Sequence, residues 1–219
     1  MGGGRLAAVL VWGLLAGVTP AANAADKPVG LTADVPAIDV LHEGRLVRVV
    51  RDPDNLATIE PDYTLTSRPC PPYCILPMQL APGVETLGEL ELFEVQKRLG
   101  RPDADVLLID SRDAEWLQRS GLIPGAIHVP WTALHPKHAE GAAIAEILEL
   151  RFGAIRNGVL WDFSHAKTLV LYCNGAWCGQ SPTNIKQLLA LGYPAHKLKW
   201  YRGGMQAWKS LGLTTVPVK

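Results

Sequence analysis

The sequence predicts an α/β fold, an open parallel β-sheet with helices on both faces, preceded by a small β-hairpin extension. Three observations carry this expectation. The runs "DVLLIDS" and "TLVLYC" are continuously apolar, which suits strands buried on both faces. The stretches "RDAEWLQRSG" and "SPTNIKQLLALG" that follow them read as helices stopped by glycine. From residue 84 onward strand and helix patterns alternate without an internal repeat.

The first segment reads as an export signal. Arg5 precedes an apolar stretch over 6–18, and Ala22-Asn23-Ala24 supplies the small-x-small pattern that a signal peptidase reads. That stretch falls short of the ~20 residues needed to anchor a helix in a bilayer. The expected division is therefore a signal peptide at 1–24, an extension with a Pro/Cys-rich connector at 25–83, and the main domain at 84–219. The product would be periplasmic or secreted, with no membrane association after cleavage. The 219 residues hold Lys+Arg 21 against Asp+Glu 21, so the overall charge gives no reason to expect nucleic acid as a partner.

Within the extension, "AIDVLHEGRLVRVVRD" contains two short β-type runs around Glu43-Gly44, a hairpin signal. The segment "SRPCPPYCILPM" is too rich in proline for a helix interior and reads as a stiff connector. Next, "VETLGELELFEVQKRLG" is expected to be a helix ended by Gly100, with Leu90, Phe93, Val95 and Leu99 on one side. "GAIHVP" reads as a strand and "HAEGAAIAEILELRFG" as a helix. In "SPTNIKQLLALG", Ser181 is expected at the N-cap and Pro182 at the first helical position. "KLKWYRGG" and "GMQAWKSLGL" supply the last strand and helix.

Ligands of open parallel sheets bind beyond the carboxyl ends of the strands, and Cys173 stands at such an end in "LVLYCNGAWCGQS". Gly175, Ala176 and Gly179 let the following loop curl so that backbone N–H groups point inward, and a helix begins a few residues later. Both features favour thiolate over thiol at Cys173, and the thiolate is the nucleophile.

The motifs "LIDSRDAEWLQRSGLIPGAIHVPW", "LVLYCNGAWCGQS" and "YRGGMQAWKSLGL", in this order over about residues 86–213, resemble the rhodanese family. The resemblance implies a rhodanese-like sheet and a sulfurtransferase that takes sulfane sulfur onto its loop cysteine as a persulfide, without metal or organic cofactor. Its partners would be a small sulfane-sulfur donor and a thiol or cyanide-like acceptor, or a redox protein. By position Cys173 matches the persulfide-bearing cysteine, and Asn174, Gly175, Ala176, Trp177 and Cys178 match the rest of its six-residue cradle, followed by Gly179 and Gln180. Asp110 and Arg112 match the family's Asp-x-Arg, with a supporting role expected. Gly203 and Gly204 match the glycine pair before the last helix, and Pro124 and Gly125 the turn into the third strand.

Two departures from the family pattern stand out. The loop holds no cation to attract a dianionic donor such as thiosulfate. Gly179 occupies the position where the related phosphatase-type loops need arginine, which argues against phosphatase chemistry. Cys178 has two open readings: it attacks the Cys173 persulfide and resolves it as a disulfide, or it only lines the loop.

Outside the loop, Cys70, Cys74 and Met78 admit a local Cys70–Cys74 disulfide, a soft-metal site, or a thiol relay to Cys173. The disulfide is favoured and no metal site is assigned. His135 and His138 form a weak metal signal better read as a solvated loop. Trp177 is expected on the active face, with Trp200 and Tyr201 either at its rim or in the core. The leading function is sulfur transfer on Cys173; the alternative is periplasmic thiol–disulfide or copper handling by paired cysteines.

Overall fold

The computed structural model describes residues 29–158 and 160–218, together with Met1. Apart from Met1, the export signal expected at 1–24 lies outside the described residues. No helix among the described residues is long and apolar enough to cross a membrane.

The extension opens with β1 (Ile38–His42) and β2 (Arg45–Val49), an antiparallel hairpin in register from Ile38 against Val49 to His42 against Arg45. Glu43 and Gly44 make the turn with φ of 48° and 75°, the left-handed pair that suits the twist of a two-residue hairpin. A single helical turn, α1 (Pro61–Thr64), follows and buries Tyr63.

The main sheet has five strands: β3 (Glu85–Leu87), β4 (Val106–Asp110), β5 (Ala126–His128), β8 (Thr168–Tyr172) and β9 (Leu198–Tyr201). All pairings are parallel, and the order is β3-β9-β8-β4-β5, so β8 is central. The connecting helices are α2 (Glu89–Gln96), α3 (Ala114–Ser120), α4 (Gly141–Glu146), α5 (Gln180–Ala190) and α6 (Gly204–Ser210). Alternation along the strands sends successive side chains into two cores. Val106, Leu108, Val170, Tyr172 and Tyr201 pack with α2, α3, α6 and the hairpin residues Val40 and Val49. Ile109, Leu169, Leu171, Leu198 and Trp200 pack with α4 and α5 on the opposite face. The α/β parallel sheet with a preceding hairpin, expected from the sequence, is the fold observed.

Several local expectations are corrected. The stretch read as one helix from residue 84 begins as edge strand β3, and the helix starts only at Glu89. Glu91 accepts the Gly88 N–H at 3.0 Å and so marks the helix start. Leu90 is 56% exposed, because Leu92, Phe93 and Gln96 form the buried side instead. Helix α5 starts at Gln180 with Gly179 at its N-cap, which puts Ser181 inside the first turn with its hydroxyl free for another partner. An outlying hairpin, β6 (Ile155–Asn157) with β7 (Leu160–Asp162), has no counterpart in the sequence reading.

The connector is no loose linker. Leu76 donates its N–H to Ala176 O at 3.1 Å, and Arg202 donates to the carbonyls of Leu76 (2.8 Å) and Pro77 (3.1 Å). Cys70 and Cys74 are joined in a disulfide.

Under this surface lies a buried ion pair. Arg112 donates from Nε to both oxygens of Asp110, at 2.9 and 3.0 Å, and from Nη2 to Oδ2 at 2.6 Å, with both side chains wholly buried. Removing one partner leaves the other charge desolvated. Asp110→Ala is expected to destabilise the fold by about 3–5 kcal/mol, measured as a lower urea midpoint at unchanged m-value.

Candidate active site

Strand β8 ends at Tyr172 and delivers Cys173 to the carboxyl edge of the sheet, at its centre. The loop backbone is held from behind by α6: Met205 N–H donates to Cys173 O at 3.0 Å and Gln206 N–H to Asn174 O at 2.9 Å. Gly204 makes this approach possible. Its φ is 54°, and a Cβ there would stand 2.3 Å from Cys173 O. Gly175 is tight for a different reason, since a Cβ would meet Gln206 Oε1 at 3.0 Å and Trp177 Nε1 at 3.1 Å. Those two atoms are themselves bonded, Trp177 Nε1 donating to Gln206 Oε1 at 2.8 Å.

Both loop cysteines are free and buried, Cys173 at 2% exposure and Cys178 at 3%. Ser181 Oγ donates to Cys173 Sγ at 3.1 Å and accepts from Trp200 Nε1 at 3.1 Å. Burial by itself pushes the Cys173 thiol up. Hydrogen bonds from the Cys178 and Ser181 side chains and from the Ser181 and Gly175 amides outweigh it, and the net direction is down. Cys178 goes the other way. Burial, the hydrogen bond to Cys173 and the charge there push it well up, against weaker help from the Asn174 and Gln180 amides. The surroundings therefore favour the thiolate at Cys173 and the neutral thiol at Cys178.

The cradle differs in composition from the family pattern. The Cys178 N–H is spent within the loop on Gly175 O at 2.9 Å, so the donors facing sulfur are Asn174 and Gly175 at one end and Gln180 and Ser181 in the first turn of α5. Gln180 Oε1 also accepts from Cys178 Sγ at 3.6 Å, while its Nε2 donates to Asp113. Asn174 Oδ1 accepts from Tyr63 OH of the extension at 3.3 Å. Ser181, Trp200 and Tyr63 thus join the site although sequence reading gave none of them a chemical role. Only Ser181, close to the loop, left a local trace in the sequence. Trp200 and Tyr201 are buried in the cores, and Tyr201 donates to Glu89 at 2.9 Å.

Asp110 and Arg112 lie behind the site. Arg112 Nη1 reaches Ser120 Oγ at 2.8 Å and Tyr63 OH at 3.3 Å, linking the ion pair to the residue that holds Asn174. In front, the connector covers Trp177. Tyr73 packs edge-on at 5.6 Å, and the Arg68 guanidinium lies 3.7 Å from the Trp177 ring centre. The loop lacks a cation of its own, but the fold brings one to it. Arg68, the Cys70–Cys74 disulfide, Tyr73, Ala176 and Trp177 line a cavity of about 540 Å³. A second cavity of about 280 Å³ is walled by Tyr73, Trp116, Trp131 and Trp177 and reaches Cys178 but not Cys173. The disulfide occupies two of the three sulfurs that a Cys70/Cys74/Met78 copper site would need. His135 and His138 pack edge-on against Trp131, at 6.0 and 4.9 Å between ring centres. Among the described residues no three His, Cys, Asp or Glu side chains converge as a metal site.

Alkylation reports the thiolate, so a lowered pKa moves its inflection to lower pH. The Cys173 rate is expected to level off at a pH below the ~8.5 of a free cysteine, with Cys178 reacting only in more alkaline solution, as followed by peptide mass spectrometry. Ser181→Ala removes a hydrogen bond to a charged sulfur, an interaction worth about 1.5–3 kcal/mol. It is expected to slow neutral-pH alkylation of Cys173 about tenfold.

A human single-domain sulfurtransferase shares 21% identity, covering 59% of this chain and 97% of its own, with a TM-score of 0.36. A Rhodopseudomonas palustris protein of unknown function, described as a possible tyrosine phosphatase, shares 22% over 63% of this chain and 88% of its own, with a TM-score of 0.42. The polysulfide-sulfur transferase homodimer of Wolinella succinogenes shares 15% over 64% and 83%, with a TM-score of 0.39. No curated protein sequence matches. The profile of the rhodanese-like domain family matches residues 92–211, more than half of the chain. The chain belongs to the rhodanese-like domain family.

Proposed function

We propose that the protein is a sulfurtransferase that carries sulfane sulfur as a persulfide on Cys173 and passes it to a thiophilic acceptor. The observation that carries this reading is the buried Cys173 sulfur, held toward thiolate by Ser181 and by the Gly175 and Ser181 amides. In the first step the thiolate attacks the sulfane sulfur of a donor. A new S–S bond forms as the donor's own bond to that sulfur breaks, and the donor leaves with the electron pair. The negative charge moves to the outer sulfur, within the same set of donors. In the second step an acceptor thiolate or cyanide attacks the outer sulfur, and Cys173 leaves as thiolate. A depressed pKa assists that departure.

Arg68 supports an anionic donor. Its guanidinium borders the larger cavity, and its buried Nε has no hydrogen-bond partner within the protein. The export-signal pattern at 1–24 and the Cys70–Cys74 disulfide support an oxidising compartment, periplasmic or extracellular.

Incubation of the Cys178→Ser chain with inorganic polysulfide is expected to make the Cys173 peptide about 32 mass units heavier, with cyanide removing the increment. Cys173→Ser should carry none. An unmodified Cys173 in the wild type would refute the reading. Arg68→Ala is expected to slow loading by the polysulfide dianion by about tenfold, in a salt-dependent manner. An unchanged loading rate would remove Arg68 from the donor path.

A further inference from the structure

The two loop sulfurs are placed unequally. Cys178 lines the 280 Å³ cavity, whereas Cys173 has no share in its wall. The Cys178 carbonyl nevertheless stands 3.2 Å from Cys173 Sγ, and the two thiols shift one another's ionisation in opposite directions. Each sulfur has its own pair of amides, Gly175 and Ser181 for Cys173, Asn174 and Gln180 for Cys178. A loop built only to hold one persulfide has no use for the second pair.

The geometry points to Cys178 as the internal acceptor of the Cys173 persulfide, and as the sulfur through which an external dithiol then resets the site, so that the protein reduces sulfane sulfur to sulfide. This rests on the sulfur-carrier reading of Cys173 and adds a product and a partner class to it. In the resolving step the Cys178 sulfur attacks the inner sulfur of the Cys173 persulfide. The Cys173–Cys178 bond forms, the bond to the outer sulfur breaks, and the outer sulfur leaves as HS⁻ with the proton given up by Cys178. The outer sulfur is reduced, and the two cysteine sulfurs are oxidised to a disulfide. No further oxidant is needed.

Reset requires a dithiol from outside. Its thiolate approaches from the cavity that Cys178 lines and forms a mixed disulfide with that residue. Cys173 leaves, since the weaker base is the better leaving group. The second thiol of the reductant then closes on the first, and Cys178 is released as a thiol. The aromatic walls formed by Tyr73, Trp116, Trp131 and Trp177 leave a passage suited to a slender apolar dithiol arm.

The test uses the full chain. Trypsin releases 168–186 as one peptide carrying both cysteines. After anaerobic treatment with inorganic polysulfide and alkylation of free thiols, the wild-type peptide is expected about 2 mass units lighter than the fully reduced one, as an internal disulfide. The Cys178→Ser peptide should instead hold the increment of about 32 units, and the wild type should release one more sulfide per chain than the variant. If the wild type keeps the heavier persulfide and yields no disulfide, the inference fails and the sulfur-carrier reading stands. If neither form appears in either protein, both fail. The wild-type peptide decides the resolving step even if the variant does not fold. A brief pulse of the monothiol N-acetylcysteine on the oxidised protein, quenched in acid, should leave the adduct on Cys178. An adduct on Cys173 would overturn the order of reset.

Discussion

The buried pair of Asp110 and Arg112 is the interaction on which the active face depends. Asp110 ends strand β4, and Arg112 follows it at the point where the chain turns toward α3. Asp110 Oδ1 also accepts the Arg112 N–H at 3.0 Å, so the turn and the ion pair form one unit. The remaining guanidinium donors reach Ser120 Oγ, Gly121 O and Tyr63 OH, and His128 Nε2 is bonded to Arg112 O at 2.7 Å. Burial disfavours the Arg112 charge, and the field and hydrogen bonds of Asp110 more than restore it. An isolated charge could not persist at this depth. The pair does so because its hydrogen-bonding capacity is met by groups from β4, α3, β5 and the extension. Through Tyr63 the network ends on Asn174, the residue next to Cys173.

The chemistry then rests on a balance between solvation and hydrogen bonding. A sulfur at the end of a central parallel strand is dry, and dryness alone favours the neutral thiol. Trp200, Ser181 and Cys173 form a chain in which each donor is polarised by the one behind it, and the two nearest amides add to it. The α6 side sets the position of the loop. With no Cβ on Gly204 to meet Cys173 O, the Met205 and Gln206 amides hold the Cys173 and Asn174 carbonyls on the far side of the backbone. The Asn174 and Gly175 amides are thus left for sulfur.

The elements buried on both faces were the most legible in the sequence, because β4 and β8 have few apolar alternatives to a two-sided strand. Cys173, Gly204 and the Asp110–Arg112 pair were legible as well, since each lies in a short motif. What escaped was long-range. Tyr63 and Arg68 reach the loop across more than a hundred residues, and no local pattern announces that. Ser181 was misassigned because Ser-Pro is a strong helix-start signal. Helix α5 begins two residues earlier, and the serine hydroxyl turns to the sulfur instead. The Leu90 error has a similar origin. A short amphipathic pattern beside an edge strand leaves the buried side undetermined until β3 takes its place next to β9.

The most direct measurement is a crystal structure of the full chain after treatment with inorganic polysulfide. Cys173 as sulfur carrier requires new density bonded to its Sγ, either an outer sulfur facing the Gly175 and Ser181 amides or the Sγ of Cys178. An unaltered Cys173 in crystals whose other thiols or disulfides have reacted would contradict the account.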